Sequence, residues 1–182
     1  PGTVSLSIPT YQMMLIEIGA ALIKQGFRHI ILLNVNRPSG TANDQVARHL
    51  IDEYDTLYEF MVSAVSYWEP AAAEIHKMRK SAEGGMGHAG ELETSFQLAT
   101  RPHLVKMELL EGAHYGPVAW DLVAPTHPTR TYSKRPRPQV GHAAIFGDPT
   151  YATADMGDSC IRVIVDALEH TFNNIKASYE ER

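Results

Sequence analysis

One histidine and two carboxylates lie close together in Gly84-Gly85-Met86-Gly87-His88-Ala89-Gly90-Glu91-Leu92-Glu93-Thr94-Ser95. No other window of the chain puts a titratable base, candidate metal ligands and a pliable backbone so near one another. His88 is flanked only by Gly87 and Ala89, so its imidazole can stay open to solvent, as a general base requires. Glu91 and Glu93 fall in what reads as the first turn of a helix. There each acid either offsets the helix dipole, worth about 0.3–1 kcal/mol when exposed, or serves the site itself. Spacing alone does not choose between these roles, because His88 and Glu93 are not a recognised local metal-binding pair.

Elements on both sides must position this stretch. Tyr11, Leu15, Ile18 and Leu22 recur at helical spacing, with Thr10 as the expected N-cap and Gly26 as the stop. Ile30-Ile31-Leu32-Leu33 and Phe60-Met61-Val62-Ser63-Ala64-Val65 are apolar runs of the kind buried on both faces in a parallel sheet. Asn34 to Asn43 reads as a polar loop, and Val46, Leu50 and Ile51 support a helix between the strands. This alternation predicts an α/β fold, with ligands beyond the carboxyl ends of the strands. Pro70 to Arg79 predicts a short helix, and Gly90 to Thr100 predicts another, stopped by Pro102. Val105 to Leu109 alternates like an edge strand. Gly147-Asp148-Pro149 reads as a turn, and Ile161, Val165, Leu168 and Phe172 mark a final amphipathic helix. Gly112 to Gly141, rich in Pro, His and Thr, is aperiodic, as in a functional loop or a subunit contact.

A chain of 182 residues with 44% apolar and 20% charged content suits one domain with a substantial core. No window nears the roughly 18 uninterrupted apolar residues of a membrane span, and no signal-peptide pattern opens the chain. The net charge of −5 argues against a nucleic-acid surface. The basic run Lys134-Arg135-Pro136-Arg137 reads as an exposed, proline-stiffened loop. Cys160, the sole cysteine, fits a reducing cytoplasm and, within an apolar helical run, an inert buried thiol.

Gly87-His88-Ala89-Gly90-Glu91-Leu92-Glu93-Thr94-Ser95 resembles the signature of the creatininase (creatinine amidohydrolase) family. Pro1-Gly2-Thr3, the entry from Gly26-Phe27 to Asn34, and Gly147-Asp148-Pro149 with Ala152-Thr153 match in order and spacing along nearly the whole chain. The resemblance implies a single three-layer α/β/α domain with a mainly parallel sheet. It also implies a metal-dependent hydrolase that opens a small cyclic amide or cleaves a related C–N bond, with up to two divalent ions (zinc, manganese or both). Further implications are a homo-oligomer, usually a hexamer, and a cytoplasmic enzyme that binds a small molecule and neither nucleic acid nor membrane. Carried over, Glu93 is a metal ligand, His88 the general acid/base, and Trp68 an aromatic lining the substrate pocket, with a core tryptophan as its alternative. Glu91 is expected to support the substrate side.

Two departures follow. Where the family has Asn-Gly-His with a metal-binding histidine, this chain has Asn34-Val35-Asn36, so a neutral amide stands at the ligand position. The family's Glu-x-His pair and following Asp belong upstream of Pro1-Gly2-Thr3, so a separate N-terminal segment is expected to complete the metal site. Hydrolysis of a carbocyclic or lactone-like ring, and a non-catalytic structural subunit, are the alternatives.

Overall fold

The computed structural model describes residues 4–110, 121–123 and 145–180. Helix α1 (Ile8–Lys24) starts a turn earlier than its periodicity suggests. Ser7 is the N-cap, its hydroxyl accepting from Thr10 N at 3.3 Å, and Pro9 lies in the first turn. A proline with φ already near the helical value favours that earlier start, which makes Thr10 a helical residue and not the cap. At the other end Gly26 takes φ 91°, while Gly26 N donates to Ile23 O (3.0 Å) and Phe27 N to Leu22 O (3.1 Å). This pair of bonds is a Schellman stop, and it turns the chain into the first strand.

Strands β1 (His29–Asn34) and β2 (Met61–Ser66) pair in parallel, with His29 opposite Met61 and Asn34 opposite Ser66. Helix α2 (Gly40–Tyr54) makes the crossover. The polar stretch after β1 is shorter than expected, because a single 3-10 turn (Arg37–Ser39) leads directly into α2. Ala42 and Asn43 are buried in that helix instead of lying in a loop. Tyr11 Oη donates to Asn43 Oδ1 at 2.7 Å and ties α1 to α2.

Pleating divides the strands into two faces. Ile30 and Val62 pack with Ala20, Ile23, Val46, Ala47 and Leu50, joined at the margin by Leu32 and Ala64. The opposite face is only partly covered: Leu33 is 44% exposed, and the His29 ring meets Tyr179 edge-on at 4.5 Å. The apolar run of β1 therefore does not mean burial on both faces among the described residues. Those residues hold a two-stranded sheet flanked by helices, an α/β arrangement.

The chain forms two compact units, Pro1–Tyr67 with Thr171–Arg182, and Trp68–His170. The second contains α3 (Ala72–Met78), α4 (Glu91–Thr100) and most of α5 (Ala154–Glu180). Thr153 caps α5 by accepting from Met156 N at 3.1 Å. Val105 to Leu109 is not a strand. Val105 N bonds Pro102 O and Leu109 N bonds Lys106 O, so the stretch winds in 3-10 turns set off by Pro102. Asp148 does cap a turn, accepting from Thr150 N at 3.0 Å. Pro1-Gly2-Thr3, the basic run at 134–137 and nearly all of the 112–141 stretch lie outside the described residues. No helix of the described residues is long and apolar enough to cross a membrane.

Candidate active site

The backbone of residues 79–90 wraps around two buried acids. Glu91, the first residue of α4, is fully buried. Its carboxylate accepts from Lys80 N at 2.9 Å, Ser81 N at 2.8 Å and Ser81 Oγ at 2.6 Å. Asp121 closes the other side: Oδ2 accepts from Gly84 N (2.7 Å), Met86 N (3.3 Å) and Arg79 Nη2 (2.6 Å). Arg79 donates again to Ser81 O and Ala82 O, so one guanidinium spans the start of the loop. The Arg79–Asp121 pair is almost wholly removed from solvent, with side chains 7% and 0% exposed. Such a pair is tolerated only when its remaining donors and acceptors are matched, as here.

Glycines let the loop close on itself. A Cβ on Gly87 would collide with the carbonyl oxygen of Phe146, and one on Gly90 with that of Gly85. Gly85 O in turn accepts from Glu91 N (3.2 Å) and Asp148 N (2.7 Å), which locks the Gly147-Asp148 turn to the start of α4. Ala89 takes φ 53°, a left-handed conformation that costs an L residue roughly 1–2 kcal/mol. Backbone strain of this kind persists only where the surroundings over-determine it.

His88 emerges at the rim of this loop. Its side chain is 67% exposed, and Nδ1 lies 3.7 Å from Glu93 Oε2. Glu93 Oε2 also accepts from Ala89 N at 2.6 Å, while Thr94 Oγ1 donates to Ala89 O at 3.1 Å. Ser95, buried one position further, accepts from Thr153 N at 3.2 Å and so joins α4 to the start of α5. The nine-residue signature thus divides into an exposed base, a strained hinge, two close-approach glycines, an inward acid, an outward acid, a buried leucine and two hydroxyls that fix neighbouring backbone.

The expected site residues therefore separate. His88 and Glu93 come together at one rim. Glu91 turns inward, its oxygens taken by the loop backbone and Ser81. Trp68 belongs to the same unit and is buried, 6% exposed. Asn36 belongs to the first unit, just beyond the carboxyl end of β1, and is exposed. There Asn36 N donates to Asn34 Oδ1 at 3.2 Å, and Asn34 Nδ2 reaches Ser66 Oγ at 3.3 Å. Sequence reasoning passed over Arg79 and Asp121. Asp121 lies in the aperiodic stretch and Arg79 ends a short helix, so neither carries a spacing signal. The available hint was indirect: a buried glycine loop must find acceptors for its N–H groups. Behind the loop, Cys160 is fully buried, and its thiol pKa is pushed up to about 11, first by burial and then by the charge of Glu91. That is the chemistry of an inert thiol and not of a nucleophile.

Residues 1–172 match the sequence model of the creatininase family, described as creatinine amidohydrolase. The chain belongs to the creatininase family. Among solved structures it is similar to creatinine amidohydrolase (creatininase) at 22% identity and TM-score 0.71, covering 96% of this chain and 66% of that one. A glutamate-to-glutamine variant of creatininase complexed with creatine matches at 24% identity and TM-score 0.71, over 96% and 67%. A structure described as creatininase Mn matches at 21% identity and TM-score 0.71, over 96% and 66%. At these identities the likeness establishes the creatininase fold. The chain spans about two thirds of the length of those structures, 66% for creatininase itself. No curated protein matches the chain.

The donors fit a divalent ion in part. Oε1 of Glu93 has no hydrogen bond among the described residues, so it is open to a cation while Oε2 holds Ala89 N. Among the described residues, however, no three His, Cys, Asp or Glu side chains converge to form a complete centre.

Proposed function

We propose that this creatininase-family chain supplies the proton-transfer part of a metal-dependent amidohydrolase acting on a small cyclic amide or related C–N bond. The observation that carries this reading is the exposed His88 imidazole with its Nδ1 3.7 Å from Glu93 Oε2. A carboxylate facing Nδ1 favours a proton there and leaves Nε2 as the acceptor. His88 then takes a proton from the attacking water through Nε2 and returns it to the leaving nitrogen, the ordinary cycle of a general base and acid. Glu93 orients His88 through Oε2 and offers Oε1 to the metal. When bound, the metal acidifies water toward neutral pH and polarises the amide carbonyl. The remaining donors come from outside the described residues, as in a separate segment bearing Glu, His and Asp. Glu91 is the anchor of the loop, and Trp68, buried in the same unit, is assigned to the lining of the substrate pocket.

A second reading is favoured by Asn36. An amide in place of an imidazole is a weaker donor for zinc, which suits a metal-poor, non-catalytic subunit. Metal content of the purified protein, together with creatinine turnover by the parent and His88→Ala, separates the two. The enzyme reading expects about two divalent ions per complete protomer and a turnover loss on the order of 10²–10⁴-fold in His88→Ala, with metal retained. Metal-free protein without turnover supports the structural subunit, and a fully active His88→Ala removes His88 from the chemistry.

A further inference from the structure

We propose that Thr94 is a positioning residue for His88, acting through the left-handed hinge at Ala89. Resting on the proton-transfer role of His88, this goes beyond it by naming what aims the imidazole. Two peptide groups flank Ala89, and all four of their polar atoms are held. His88 O accepts from Phe146 N at 2.9 Å, and Ala89 N donates to Glu93 Oε2 at 2.6 Å. Ala89 O accepts from Thr94 Oγ1 at 3.1 Å, and Gly90 N donates to Gly87 O at 3.0 Å. Two of these four partners are side chains, and both come from consecutive residues in the first turn of α4.

The Thr94 hydroxyl departs from ordinary helical behaviour. A threonine within a helix commonly returns its hydroxyl to the carbonyl four residues back, here Gly90 O. In this chain Thr94 N takes Gly90 O at 3.0 Å, and the hydroxyl reaches past it to Ala89 O. That carbonyl belongs to the residue with φ 53°, which relaxes toward negative φ if the bond is lost. Relaxation at Ala89 turns the 88–89 peptide, carrying His88 away from Glu93 and loosening the Glu93–Ala89 bond. Neither effect requires Thr94 to touch substrate.

Thr94→Val keeps the shape and removes the hydroxyl, and Thr94→Ser restores the hydroxyl. Two readouts apply to the full chain: the Nδ1–H against Nε2–H tautomer ratio of the His88 ring by ¹⁵N NMR, and kcat and KM with creatinine. The inference expects Thr94→Val to shift His88 toward the Nε2–H tautomer and to lower kcat roughly 10–100-fold at unchanged KM. Thr94→Ser is expected to recover both. Ala89→Gly, which accepts φ 53° without strain, is expected to keep the parent tautomer ratio and, combined with Thr94→Val, to restore part of it. A folded Thr94→Val with the parent tautomer ratio overturns the inference, as does a folded Thr94→Ser that fails to recover it. Should Thr94→Val not fold, Thr94→Ala takes its place: a folded Thr94→Ala shifted toward the Nε2–H tautomer supports the inference, and one at the parent ratio overturns it. The tautomer ratio decides the matter whether or not creatinine is turned over. An active His88→Ala therefore removes the proton-transfer role without touching this result.

Discussion

Glu91 and Glu93 are two residues apart in the same helical turn, and their surroundings give them opposite work. Glu91 is fully buried, with its oxygens taken by Lys80 N, Ser81 N and Ser81 Oγ. Glu93 is 37% exposed, uses one oxygen on Ala89 N and presents itself to His88. Helical geometry explains the split, because a two-residue step rotates a side chain by about 200° around the axis. One acid must then face the loop while the other faces the rim. Identical chemistry two positions apart thus becomes scaffold in one case and candidate machinery in the other.

The largest expected effect tests the inward acid. Glu91→Ala removes the acceptor of two backbone N–H groups and one hydroxyl at a site without solvent. Breaking a matched buried network of this kind costs on the order of 3–5 kcal/mol. Urea unfolding is expected to show a correspondingly lower midpoint. A loss below about 1 kcal/mol would mean that water replaces the carboxylate and that Glu91 does not hold the loop.

Much of this scaffold was legible in the sequence, and the illegible part has a common cause. The parallel strands, the Gly26 stop, the helix start at Gly90 and the inert Cys160 follow from periodicity and turn chemistry, which act over a few residues. Thr10 is the cap its periodicity points to, but Ser7 suits that role as well, and Pro9 in the first turn decides for the earlier start. Val105 to Leu109 alternates like a strand, but alternation has no force without a neighbour to pair with, and its backbone closes in 3-10 turns. The Arg79–Asp121 pair spans 42 positions and binds backbone, so no local pattern records it. His88 and Glu93 could be singled out by residue type, yet the inward turn of Glu91 depends on where Lys80 and Ser81 lie.

An intermediate effect reads the charge of the inward acid through its neighbour. The folded Cys160 thiol keeps its proton up to about pH 11, against a reference value of 9.0. Stability from this source is complete below pH 9 and declines as the pH rises through 11, by roughly 2–3 kcal/mol in all. Cys160→Ala is expected to flatten that part of the stability–pH curve relative to the parent. Because burial contributes first and Glu91 second, Glu91→Gln is expected to bring the thiol only part of the way back towards 9.0. Following thiolate absorbance against pH in the two proteins checks this. Coincident titrations would show that the Glu91 charge does not reach the thiol.

The smallest stability change is expected at the outward acid, and that contrast is what makes the comparison sharp. Glu93→Gln retains a carbonyl oxygen for Ala89 N and removes only charge at a partly exposed position. Its effect on folding should stay within roughly 1 kcal/mol, the scale of a dipole contribution in the first turn of a helix. The same substitution takes the anion away from His88 Nδ1, so the ring is expected to lose its preference for the Nδ1–H tautomer, as seen by ¹⁵N NMR. It also weakens the open oxygen as a ligand, so less divalent metal should remain after dialysis. A large fall in the urea midpoint, with tautomer and metal unchanged, would place Glu93 beside Glu91 as scaffold. The division of labour in this turn would then have to be abandoned.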